Sequence, residues 1–206
     1  MTLVQWLSPA FPVGAFAYSH GLEWAIATGD VPDAAGLGDW LTAVLEHGTG
    51  RSDAILLAHA MRRDADLVML SDLALALCAS AGRHRETLEQ GTAFAAAANA
   101  LTGHADPPAP YPVAVGAAAG RLGLRARIVV SLYLQAFAGN LVAAAVRFVP
   151  LGQTQGQRVL TELQPQIARL SAEAERAPLD AIGTAVFRAD LAAMHHEILS
   201  PRMFRT

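Results

Sequence analysis

Apolar residues along this chain recur at helical spacing. Between residues 33 and 48, Leu37, Trp40, Leu41, Val44 and Leu45 stand at i, i+3, i+4, i+7 and i+8, one stripe of an amphipathic helix. Asp33 is placed to cap its start and Gly48 to end it. Residues 53–61 and 66–81 read as two further helices. In the second, Leu67, Leu70, Leu73, Ala74 and Leu77 share a face. Residues 83–101 are Ala-rich and helix-favouring. Residues 113–122 read as helix despite Gly116 and Gly120. Residues 126–148 form a long apolar helix. Residues 154–176 follow with Leu160, Leu163, Ile167 and Leu170 on one side, broken or kinked before Pro165. A last helix covers 189–199. No segment alternates apolar and polar in a β-rich way. The pattern predicts an all-α, single-domain helical bundle over residues 1–206, with 126–148 as a central helix buried nearly all round.

Residues 103–112, GHADPPAPYP, hold four prolines in ten positions and read as a loop within the one domain. Residues 128–146 carry no charge. Ser131, Gln135, Gly139, Asn140 and many alanines make them a core helix and not a membrane span.

Composition sharpens this picture. The 206 residues are 53% apolar and 16% charged, so the chain has more apolar surface to hide than an average domain. It must fold compactly, associate with partners, or both. The net charge of −3 offers no basic face for a phosphate backbone, so no nucleic-acid partner is expected. Every one of the 15 basic residues is Arg. Without Lys there is no Walker-A phosphate loop, no Schiff-base amine and no kinase-type phosphate lysine. The single cysteine, Cys78, excludes an intrachain disulfide and a CxxC motif, and reads as an inert thiol in an apolar stretch. The first Arg is Arg51, so the start lacks the positive region of a secretory peptide, and a cytoplasmic protein is expected.

Four segments carry candidate chemistry. Residues 6–24, WLSPAFPVGAFAYSHGLEW, hold five of the aromatics (7 Phe, 3 Trp and 3 Tyr in the whole chain). They read either as a loop pinned on the core or as a partner surface, since aromatic clusters make binding hot spots. Tyr18, Ser19, His20 and Glu23 are its candidate contacts, with Ser19 as a helix N-cap. A Ser19–His20 dyad is not a nucleophile pair, because neighbours on a helix diverge and no GxSxG surrounds Ser19. Residues 150–157, PLGQTQGQ, read as an interhelix turn with Thr154 as cap; Gly152, Gln153 and Thr154 are candidates for bonding a partner's backbone. In Met194-His195-His196-Glu197 the side chains diverge by about 100° each, so His195 and His196 are weak metal candidates. His196 and Glu197 fit an interface better. The tail 200–206, SPRMFRT, interleaves Arg202, Phe204 and Arg205, residue types enriched at hot spots, and reads either as a tail tucked onto its own core or, preferred here, as a segment that orders on a partner. An alternative is a small-molecule-binding helical regulator whose apolar pocket is lined by the N-terminal aromatics.

Together these segments resemble the UreF-type urease accessory proteins. The resemblance rests on WLSPAFPVGAFAYSHGLE, on GTGRSDAILLAHA at 48–60, and on Arg85-Glu86-Thr87 with Gln90-Gly91. It continues through YPVAVG at 111–116, YLQAFAGNLV at 133–142, PLGQT at 150–154 with Gly156-Gln157, and Met194, His196, Glu197, Arg202, Phe204 and Arg205. It spans nearly the whole chain. Ile198, Leu199, Pro201, Met203 and Thr206 depart from the family's usual ending.

The resemblance implies an all-α homodimer that is not an enzyme. It implies a complex with a UreD/UreH-type accessory protein and a UreG-type GTPase that meets apo-urease and supports GTP-dependent nickel insertion. On that reading no cofactor is stably bound here: GTP sits on the GTPase, nickel is handled by the complex, and Arg202, Phe204 and Arg205 dock a partner.

Overall fold

The computed structural model describes residues 1–149 and 151–206. Helices α1 (Thr2–Trp6), α2 (Leu22–Ala27), α3 (Ala34–His47), α4 (Thr49–Ala60), α5 (Leu67–Ala76) and α6 (Ala81–Thr102) form the first half. Helices α7 (Tyr111–Gly120), α8 (Ala126–Ala145), α9 (Gln153–Glu162), α10 (Gln164–Ala174) and α11 (Phe187–His196) complete it. No strand occurs among the described residues. The fold is all-α.

Local signals set the ends. The Asp33 carboxylate accepts from the Gly36 N–H at 2.9 Å and starts α3. All five residues of the α3 stripe are buried. Pro165 lies in the first turn of α10, where a missing N–H costs nothing, so the expected break falls at Leu163. Pro112 likewise sits inside the first turn of α7, so the proline loop ends two residues earlier than its composition suggests.

The bundle has a buried central helix, but it is α4. From Ser52 to Ala60 every α4 residue is buried. The expectation that 126–148 would be buried nearly all round is corrected: α8 is half buried, and Ile128 remains exposed. Apolar composition pointed to α8, whereas α4 carries Ser52, Asp53 and His59 into the interior because other elements satisfy most of their polar atoms. His59 Nε2 lies 2.9 Å from the Ala177 carbonyl. α8 is long and apolar enough to cross a membrane by length and composition alone.

Gly116 and Gly120 let α7 press against α4. A Cβ at Gly116 would come 2.6 Å from the Leu57 carbonyl oxygen, and one at Gly120 2.7 Å from that of Met61. The main core then buries Leu37, Leu41, Leu45, Ile55, Leu57, Leu134 and Leu141 almost completely. Each such side chain contributes about 1.5–3 kcal/mol relative to an exposed one.

The N-terminal aromatics close this core. Trp6 meets Phe94 edge-on at 5.7 Å and Phe11 tilts against it at 5.6 Å. Trp6 and Phe11 are buried in the main core, and Phe11 also borders a surface cleft together with Gln5, Pro12 and Leu101.

Candidate interaction site at the joined chain ends

The first and last functional segments meet. His20 takes a left-handed backbone at φ 54° and Gly21 follows at 75°, which reverses the chain ahead of α2. Gly21 lies on α11: a Cβ there would stand 2.5 Å from the Ala193 amide nitrogen. Ser19 is fully buried. Its hydroxyl accepts from the Glu23 N–H at 3.3 Å and donates to the Thr206 carbonyl; its own N–H reaches the same oxygen at 2.8 Å. Arg205 N–H donates to the Ala17 carbonyl at 2.7 Å.

Glu23 holds the tail. Its carboxylate accepts from Met203 N–H at 2.8 Å and Phe204 N–H at 3.0 Å, and lies 2.7 Å from His196 Nε2. Burial works to raise its pKa, but the bond from His196 and the two backbone donors prevail and hold it below the ordinary glutamate range. His196 is fully buried. The Phe204 ring packs on Phe148 at 5.3 Å.

A second layer of charge lies beneath the clasp. Glu86, almost fully buried, is 2.7 Å from His20 Nε2 and 3.3 Å from Arg83. Gln90 donates to it at 3.1 Å and the Thr206 hydroxyl donates at 3.1 Å. Arg83 also donates to Asp53 at 2.9 Å, and Tyr133 donates to the same carboxylate oxygen at 2.8 Å. Burial pushes Glu86 up, yet His20 and Arg83 outweigh it and its pKa falls. At Asp53 burial prevails over Arg83 and Tyr133, and the pKa rises. Cavities of about 50 and 30 Å³ flank this cluster, room for waters only. Ser52 Oγ, on the larger one, has no protein partner.

At the surface Glu89 receives Tyr18 at 2.5 Å and Arg205 at 2.9 Å. Burial, then Glu89, pushes the Tyr18 phenol up to about 12. Beside this runs an apolar stripe on the outer face of α11 and its C-terminal turn. Phe187, Leu191, Met194 and Ile198 are 77, 53, 46 and 79% exposed, and Met203 is 70% exposed. Their 4-3-4 spacing is that of a helix-docking seam.

The clasp therefore unites Tyr18, Ser19, His20, Glu23, His196, Phe204 and Arg205. Glu197 joins it by accepting from Gly82 N–H at 2.9 Å, at the start of α6. The tail expected to order on a partner is already ordered on its own chain. Phe204 is an internal anchor, and Arg202, Met203 and Arg205 stay accessible. Ser19 caps α2 through its side chain although Gly21 occupies the N-cap position. Gly152, Gln153 and Thr154 take no part in the clasp. They sit exposed at the start of α9, where Gly152 is the N-cap and Gln155 Oε1 accepts its N–H at 3.0 Å. Thr154 lies inside the helix and is not the cap. Pro150, which opens the same segment, lies outside the described residues. His195 turns away from His196 and stacks on Trp24 at 5.0 Å. Among the described residues no group of three or more His, Cys, Asp or Glu is placed for a metal ion.

Asp53, Arg83, Glu89 and Tyr133 were not singled out in the sequence. A signal was present: Arg83, Glu86 and Gln90 form an i, i+3, i+7 polar stripe on an otherwise Ala-rich helix.

Fold and site define a helical protein whose charged side chains chiefly fasten its own termini and whose outer face offers apolar and arginine side chains for association. The UreF family model matches residues 31–164, more than half of the chain. The urease accessory protein UreF of Cereibacter sphaeroides strain ATCC 17025 is 61% identical over 206 residues, covering 100% of this chain and 98% of the relative. Those of Jannaschia sp. strain CCS1 and Paracoccus denitrificans strain Pd 1222 are 53% and 51% identical, covering all of this chain and 94% and 95% of the relatives. This chain belongs to the UreF family of urease accessory proteins, and its role lies in urease maturation.

Proposed function

We propose that this protein is a non-enzymatic scaffold of urease maturation. It joins a UreD/UreH-type accessory protein and a UreG-type GTPase into a complex that meets apo-urease and supports GTP-dependent nickel insertion. Nickel is the cargo of that complex, and GTP binds on the GTPase. The scaffold acts as a homodimer in the cytoplasm, without nucleic acid or membrane.

The observation that carries this reading is the exposed seam Phe187, Leu191, Met194 and Ile198 running into Met203 and Arg205. Apolar side chains in helical register, edged by arginines, form a surface that another helix or a flat apolar patch can cover. The clasp fixes the backbone beneath it, which lowers the ordering cost of docking. Tyr18 and Arg205, both held on Glu89, give this surface a polar edge.

Light scattering on eluted complexes tests the reading. The protein alone should elute as a dimer. Mixed with its cognate UreD/UreH-type protein and GTPase it should enter one larger species of fixed stoichiometry. A chain that ignores both partners at micromolar concentration overturns the proposal.

A further inference from the structure

A separate cleft beside the C-terminal half of α6 has no part in the clasp. It encloses about 260 Å³ between α5, α6, α7 and the proline loop. An apolar cavity of about 150 Å³ already accepts benzene, so this one admits an aromatic ring with a short chain. It falls just below the roughly 300–1,000 Å³ of small-molecule sites.

The space exists because small residues face it. Ala95 and Ala98 from α6 and Ala114 and Ala118 from α7 are all buried, and Phe94 and Val113 complete an apolar floor. The proline wall is pre-formed. Asn99 brackets Asp106, donating to its carbonyl at 2.9 Å and accepting its N–H at 3.0 Å. Arg121 grips the Asp106 carboxylate with both guanidinium nitrogens. Ala109 lies directly on the α6 backbone: a Cβ at Gly91 would fall 1.8 Å from its carbonyl oxygen. The opposite wall, α5, buries only Leu70 and Ala74, and Val68 at the rim is 73% exposed.

The polar groups of the lining select the occupant's charge. No Arg or His lines the cleft. Pro107 and Pro108 present carbonyls and no N–H. The Ser71 hydroxyl donates to the Leu67 carbonyl at 2.7 Å, so toward a ligand its oxygen can act only as an acceptor. Asp106 is neutralised by Arg121, while Asp72 is exposed and makes no ion pair among the described residues. The cleft thus combines an apolar floor with a rim rich in acceptors and one free carboxylate.

We infer that this cleft is a binding site for a small organic cation: an ammonium head on Asp72 and Ser71, and an aromatic or aliphatic body between Val68, Ala95, Pro108 and Ala114. A carboxylate of the same shape would face Asp72 without a donor. The site is independent of the urease role and stands or falls apart from it.

The test uses the full-length protein, phenethylammonium as probe and phenylacetate as its anionic counterpart. Isotope-edited NMR follows the methyl groups of Ala95, Ala98, Ala114 and Ala118. Phenethylammonium should shift these methyls saturably in the millimolar range or tighter, and phenylacetate should not. Asp72→Asn, a surface change, should weaken the cation about tenfold, the worth of one charge-assisted hydrogen bond. Ala117→Leu, which narrows the mouth from a half-buried position, should abolish the shifts while its melting midpoint stays close to the parent's. Equal binding of both probes, or cation binding unchanged in Asp72→Asn, overturns the inference. So does saturation without shifts at these methyls, or no binding of the cation at all. Because Asp72 is exposed, its variant decides the matter even where Ala117→Leu fails to fold.

Discussion

Glu23 and His196 are separated by 173 positions and meet at 2.7 Å, both buried, with the tail amides of Met203 and Phe204 on the same carboxylate. One side chain therefore fastens α2, α11 and the C-terminal tail together. Replacing it tests whether the tail depends on that hub.

Glu23→Ala should cost about 3–5 kcal/mol of unfolding free energy, because it leaves the His196 ring nitrogen and the Met203 and Phe204 amides without their shared acceptor. Amide exchange at Met203 and Phe204 should accelerate more than exchange in α4. Unchanged protection of those two amides would mean that the tail is held by Phe204 and Thr206 alone.

The pH dependence of that contribution has a definite sign. Glu23 and Glu86 have folded pKa values below their unfolded ones. Their stabilisation is complete above the ordinary glutamate pKa of about 4.3 and is lost as pH falls through the lower folded values. Asp53 works the other way: its pKa is raised, so its ionisation costs stability that acidification relieves. The stability gap between the parent and Glu23→Gln should therefore hold constant in urea titrations from pH 6 to about pH 5 and narrow from there down to pH 3. A gap constant down to pH 3 contradicts the assignment.

At alkaline pH the three tyrosines should resist ionisation. Burial pushes Tyr18 up to about 12 and Tyr111 and Tyr133 higher still. A group that keeps its proton longer in the folded state loses stability as pH rises above its unfolded pKa, near 10 for tyrosine. Absorbance at 295 nm should stay flat to beyond pH 10.5 in the folded protein. It should rise first with Tyr18 near pH 12, or abruptly on alkaline unfolding.

Docking and stability should separate by residue. Leu191→Asp and Ile198→Asp alter exposed positions and should change the melting midpoint little, since such sites usually lie within about 0.5 kcal/mol of neutral. Both should abolish co-elution with the UreD/UreH-type protein. Phe204→Ala should lower stability, by about 3 kcal/mol if the tail stays in place. Retained co-elution in Ile198→Asp would move the docking surface off α11.

Gly21→Ala joins two penalties: a left-handed backbone at φ 75° and a Cβ 2.5 Å from the Ala193 amide nitrogen. A loss of about 2–4 kcal/mol in urea unfolding is expected. A near-neutral result would show that α11 can shift away from α2.

Periodicity carried most of the fold. The α3 stripe and the Pro165 break follow from spacing and caps that act locally; the last helix, expected at 189–199, runs over Phe187–His196 with no side-chain cap. Choosing the central helix did not, because burial of α4 depends on partners far away in sequence. Arg83 and Tyr133 satisfy Asp53, and Ala177 satisfies His59, 118 positions away. Glu23, His196 and Phe204 were visible as unusual residues at the two ends of the chain. Their meeting was not, since hydrogen bonds across more than 170 positions leave no period to read. Thr154 shows the converse: its side chain suits a cap, but Gly152, two residues earlier, is the N-cap and Gln155 satisfies its N–H.

The clasp also sets a schedule for synthesis. Ser19 emerges from the ribosome 187 residues before the Thr206 oxygen that its hydroxyl and amide share. At about 5–20 residues per second, that interval is roughly 10–40 s. During it the central helices can assemble, while Ser19, Glu23 and Glu86 wait for the tail. A nascent chain, or one cut short before Met203, thus keeps an open polar seam around Ser19 and Glu23, and only a chain translated through Thr206 can close it.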